Sequence, residues 1–113
     1  MRYFIGNWKM FGVPKSINIL NKINSYYSKD KNRKKYRVII TPPYTLIESY
    51  SRSFRNKRIS IGSQNCYQKE QYSSNTAAIS PYMLKIVASK YTLVGHLDNS
   101  GEGDTNLMLK DKV

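Results

Sequence analysis

The chain has 113 residues, with 19 Lys+Arg against 7 Asp+Glu and a formal net charge of +12. That length suits one domain and holds too little chain for two hydrophobic cores. With 40% hydrophobic and 12% aromatic residues it is too apolar for a disordered chain, and its longest aliphatic run, Val38-Ile39-Ile40, is far too short to span a membrane.

Residues 3–8 (YFIGNW) are short and apolar, as a buried strand would be. The stretch ends at Lys9 without a small-residue cleavage site, so it does not read as a signal peptide. Gly12 and Pro14 break the strand, and Pro14 suits the first turn of a helix. From 15 to 28, Ile19, Leu20, Ile23 and Tyr27 recur at helical spacing with polar residues between them. A basic loop over 29–35 leads to a second strand, 37–41, stopped by Pro42-Pro43. A second helix is expected over 45–55, with Leu46, Ile47, Tyr50 and Phe54 on one side. A third strand follows at 59–63. The long polar stretch 64–78 reads as an ordered functional loop or lid. Ser80-Pro81 is a helix start, Ser as N-cap and Pro at the first helical position, with Met83, Leu84 and Val87 as its buried side. A fourth strand is expected at 91–95 and a fourth helix over 105–113.

Four strands alternating with helices, with no hairpin signal between them, define an α/β chain with a parallel sheet and right-handed crossovers. Two architectures fit: an open doubly wound sheet, or part of a β/α barrel. The first usually carries a glycine-rich phosphate loop after its first strand. Asn7-Trp8-Lys9-Met10 stands at that position instead, and the chain has no GxGxxG and no P-loop.

The charge is uneven. Residues 1–60 carry 14 Lys+Arg and 2 Asp+Glu, while residues 61–113 carry 5 of each. A basic half suits nucleic acid or an anionic surface. However, Lys, Asn, Ile and Tyr, all encoded by A/T-rich codons, make up 44 residues. Compositional drift on solvated faces is the simpler account, so a nucleic-acid partner is not expected. The single cysteine, Cys66, cannot form an internal disulfide or supply a metal cluster. It reads as a small buried residue, in a disulfide-free protein expected in the cytoplasm.

In parallel β/α folds, ligands bind at the carboxyl ends of the strands. Lys9 follows the first strand, and His96, the one histidine, follows the fourth. A cation and an imidazole facing one cleft can bind an anion and polarise a carbonyl. Each also has a plainer reading, as a solvated charge and a structural hydrogen-bonding group. Glu102 and Asp104 lie among glycines before Thr105, where a helix cap is an equal reading to a carboxylate pair.

Asn7-Trp8-Lys9-Met10 after a first strand, Gln64-Asn65-Cys66-Tyr67 after a third, Ile79-Ser80-Pro81 opening a third helix and Val94-Gly95-His96 ending a fourth strand occur in that order. In order and spacing they closely resemble the amino-terminal half of triosephosphate isomerase, over residues 1–113. The resemblance implies the first four units of a (β/α)8 TIM barrel, with 1–113 as the amino-terminal half of one domain. It implies interconversion of dihydroxyacetone phosphate and glyceraldehyde 3-phosphate through an enediolate, in glycolysis and gluconeogenesis, without cofactor or metal. Asn7 and Lys9 would contact the phosphorylated triose, Lys9 holding its negative charge. His96 would act as a neutral electrophile on the carbonyl oxygens; the family is itself the standard illustration of such an imidazole. A homodimer through the 64–80 loop is also implied.

The chain departs from the family pattern. A barrel of this kind takes about 250 residues, and the family's general base is a glutamate after the sixth strand. The 113 residues are therefore expected to be a truncated piece, inactive alone and, with open strand edges and an uncovered inner face, prone to self-associate. Where the family commonly reads His-Ser-Glu-Arg, this chain reads His96-Leu97-Asp98-Asn99. Asp98 keeps a possible supporting charge one methylene shorter. Thr76-Ala77-Ala78 replaces a common Thr-Gly-Glu, so Ala78 and Asn99 together remove an ion pair rather than stranding one charge. The alternative to an isomerase piece is a basic nucleic-acid-binding or structural half-barrel protein.

Overall fold

The computed structural model describes residues 1–96. The elements are β1 (Arg2–Asn7), α1 (Ile17–Lys29), β2 (Tyr36–Thr41), α2 (Tyr44–Ser53), β3 (Ser60–Ser63), α3 (Pro81–Ile86) and β4 (Tyr91–Thr92). The four strands form one sheet in the order β1-β2-β3-β4, and every pairing is parallel. Sequential order with parallel strands requires each helix to cross back on the same side, as in a growing β/α barrel. The expected half-barrel is the observed architecture. The helix expected over 105–113, together with Leu97, Asp98, Asn99, Glu102 and Asp104, lies outside the described residues.

Register shows how the strands divide their side chains. Ile5 pairs with Ile39 and Asn7 with Thr41, while Gly6 pairs with Ile40 and Ile40 with Ile61. Ile40 and Ile61 join the core formed with Leu20 and Tyr27 of α1, Leu46, Ile47 and Tyr50 of α2, and Leu84 of α3. That is the helix-covered side of the sheet. Side chains alternate along a strand, so Tyr3, Ile5 and Asn7 belong to the other side.

The structure corrects the buried first strand. Tyr3, Phe4 and Ile5 are 54%, 56% and 50% exposed. Among the described residues β1 has one neighbour, β2, and hydrogen bonding to one partner does not cover either face. Ile19 is likewise exposed, although its spacing placed it on the inner face of α1. Met83 is exposed beside buried Leu84 because α3 has only six residues, too few to turn a broad apolar face inward.

Local chemistry sets the helix starts. Pro14 opens a short 3-10 turn rather than α1 itself. The Ser80 hydroxyl accepts a hydrogen bond from the Met83 amide at 3.2 Å, and Pro81 fills the first helical position. β4 is shorter than expected, but the Leu93 amide still donates to the Ser63 carbonyl at 2.9 Å. The 64–78 stretch contains neither helix nor strand. It is closed at its base by bonds from Tyr67 N–H to the Ile79 carbonyl and from Tyr82 N–H to the Glu70 carbonyl. Cys66 is buried, as expected.

Candidate active site at the carboxyl ends of the strands

Asn7 is the last residue of β1, and Lys9 follows two residues later. Lys9 has φ 53°, the left-handed region, which costs a non-glycine residue about 1 kcal/mol. Hydrogen bonds from both sides hold it there. The Lys9 amide donates to Asn7 Oδ1 at 2.9 Å. Gln64 Nε2 donates to the Lys9 carbonyl at 2.7 Å and to the Thr41 carbonyl at 3.0 Å. Thr41 also accepts from the Trp8 amide at 3.1 Å. One amide side chain from the end of β3 therefore ties together the ends of β1 and β2.

The loop after Lys9 is anchored from α2. The Tyr50 hydroxyl donates to the Val13 carbonyl at 2.9 Å, and its ring meets Trp8 edge-on at 5.8 Å between centroids. Gly12 has φ 119°, and a Cβ there would stand 2.8 Å from the Trp8 ring, so only glycine fits. The loop is thus clamped on a wholly buried tyrosine, while the Lys9 side chain itself remains exposed. Tyr44 supports the third loop: its hydroxyl donates to the Asn65 carbonyl at 2.6 Å, and burial pushes its pKa up to about 12.

His96 lies just past β4, half-buried, after Gly95 with φ 77°. The structure brings Asn7 and Lys9 into direct contact and sets His96 at the same end of the sheet, on its other outer strand. Asp98 lies outside the described residues. Gln64 and Tyr50 are the residues whose part in this site the sequence did not disclose. Gln64 had one signal, a polar side chain immediately after an apolar strand. Tyr50 had none, because a tyrosine on an apolar helical face reads as core.

The cavities do not coincide neatly with the chemistry. One of about 710 Å³ lies on the helix side of β1, lined by Phe4, Ile23, Tyr26 and Tyr36 among others. Its lining also holds Arg2, Asp30 and Lys35, but it lies at the amino end of the sheet, away from Lys9 and His96. A cavity of about 420 Å³ reaches the site through Asn7, Trp8 and Gly12. Among the described residues no group of three or more His, Cys, Asp or Glu could hold a metal ion, and no helix is long and apolar enough to cross a membrane.

Parallel β/α units with polar side chains gathered where the strands end define a protein of the β/α-barrel class. Its sequence places it more narrowly: the triosephosphate isomerase family profile matches residues 2–112, and the chain belongs to that family. It is 33% identical over 111 residues to the triosephosphate isomerase of Wolbachia pipientis wMel, covering 96% of this chain and 43% of that protein. It is 34% identical over 110 residues to the enzyme of Cytophaga hutchinsonii, with 96% and 43% covered. The crystal structure of triosephosphate isomerase from Bartonella henselae superposes with a TM-score of 0.88 at 26% identity, covering 98% of this chain and 45% of that one. The chain thus spans under half the length of these relatives.

Proposed function

We propose that these residues form the amino-terminal part of a triosephosphate isomerase site, acting on dihydroxyacetone phosphate and glyceraldehyde 3-phosphate. The observation that carries this reading is the strained Lys9 backbone, held in place by Asn7 and Gln64 at the carboxyl end of β1. Strain held by a neighbour on its own strand and by one from the end of β3 fits a residue whose position matters for chemistry. In this reading Asn7 and Lys9 contact the substrate and Lys9 balances its negative charge. His96 donates to the substrate oxygens as the enediolate forms, with Asp98 in support. The proton-abstracting carboxylate is assigned to no residue of this stretch. The 64–80 loop, with Tyr72 74% exposed and edge-on to Tyr82, suits the family's homodimer contact. A cytoplasmic location and a place in glycolysis follow the same reading.

The test mixes this chain with the complementary carboxy-terminal half of the Wolbachia relative in a coupled isomerase assay. Activity is expected only in the mixture, and Lys9→Met is expected to lower it by about 10³-fold or more. Isomerase activity that survives Lys9→Met undiminished would reject the assignment.

A further inference from the structure

The parallel sheet sorts the loops into two sets. Residues 8–16, 42–43 and 64–80 lie at the carboxyl ends of the strands, and residues 30–35, 54–59 and 87–90 at their amino ends. The first set has 28 residues and three cations, Lys9, Lys15 and Lys69. The second has 16 residues and eight cations, from Lys31 in the first loop through Arg58 in the second to Lys90 in the third. All eight are exposed except half-buried Arg33. Codon drift would raise lysine on exposed loops at both ends alike. It does not account for cations at half the positions of one set and about a tenth of the other.

The fold brings these charges together. β2 pairs with β3, so the loops entering them lie side by side. The Lys90 amide donates to the Ile61 carbonyl at 3.1 Å, which fixes the third loop beside them. Asp30 is the one carboxylate in these loops, and it is engaged by the Tyr36 hydroxyl and the Asn32 amide. Arg2, Lys29 and exposed Arg37 add to the same end.

This surface does not serve the triose phosphate. It lies a strand length, about 20 Å, from Lys9, and the Debye length at physiological salt is about 8 Å. Its occupant must therefore be a separate anion with many charges. The loops themselves carry no exposed large apolar side chain, Phe54 and Ile59 being buried, although exposed Met1, Tyr26 and Ile86 border them. Cations spread over three loops, rather than gathered around one apolar wedge, match a repeating phosphate chain.

We propose that the amino-terminal end of the sheet is a docking surface for the phosphate backbone of nucleic acid, read without regard to base sequence. The proposal rests on the fold and the charge distribution, independently of the isomerase reading. The test measures fluorescence anisotropy of a labelled RNA duplex of about 20 base pairs with the full chain, across a salt series. The variant K31Q/K34Q/K57Q is compared with K15Q/K22Q/K69Q, which removes the same charge elsewhere; circular dichroism checks that both fold as the parent does. The first triple is expected to weaken binding about tenfold or more and to lower the salt slope by about 3, with the second within about twofold. Equal loss in both triples would reduce the effect to net charge and overturn the proposal. Binding to phosphatidylserine vesicles without binding to the duplex would also overturn it.

Discussion

Where the strands end, side chains hold the backbone in unusual places. Gln64 spans three strand ends, Asn7 turns the chain onto itself, and Tyr50 reaches from a helix to fasten a loop. Where the strands begin, no loop among the described residues exceeds six residues, and closure is mostly by backbone turns, such as Arg33 N–H to the Asp30 carbonyl and Lys57 N–H to the Phe54 carbonyl. Their side chains are left to solvent and are largely cationic. A loop stabilised by its own backbone can vary its side chains freely, whereas a loop held by named side chains cannot. The first arrangement suits a surface, and the second suits a site that must hold atoms in place.

The comparison breaks most visibly at Tyr50. Tyr50→Ala removes a fully buried ring and should cost about 3–5 kcal/mol in urea denaturation, whereas Tyr50→Phe, losing only the bond to Val13, should cost about 1 kcal/mol. Equal losses for the two would mean that the hydroxyl, not the ring, carries the anchor.

Gln64 gives the next effect. Gln64→Ala should cost about 1–3 kcal/mol by removing the amide donor that the Lys9 and Thr41 carbonyls share. Gln64→Glu should cost more than the alanine, because an ionised carboxylate would face two carbonyl oxygens. A glutamate variant as stable as the parent would show that the bridge is unimportant.

The smallest effect lies at the opposite end. The Tyr36 hydroxyl bond, helped by the Asn32 amide and Arg33, holds the Asp30 carboxyl below the usual carboxylate range. A depressed folded pKa contributes stability above the unfolded value, and that contribution is lost as pH falls through the folded value. Tyr36→Phe should therefore raise the Asp30 pKa toward 3.8 in a carbon-detected NMR titration and flatten the acid limb of the stability curve. An unmoved Asp30 titration would assign the depression to the loop backbone instead. In the parent, the same bond pushes the Tyr36 phenol up to about 12.

Much of the fold was legible because its signals are local. Ser80-Pro81 starts a helix through a hydroxyl and a fixed φ, both properties of adjacent residues. Leu46, Ile47 and Tyr50 are buried as their spacing required. Ile5 and Met83 failed for a common reason. Apolar character states what a residue gains from burial, not whether another element stands over it.

The site was legible in part. Lys9 and His96 could be picked out because strand ends are visible in sequence and parallel folds gather ligands there. The positive φ of Lys9, its link to Gln64 across 55 residues and the Tyr50 anchor were not, since each depends on strands being laid side by side. The charge follows the same division. Sequence alone established the +12 and its confinement to the first 60 residues. Only the tertiary structure decided that most of those cations share one end of the sheet, because parallel pairing sends every helix-to-strand loop to the same side.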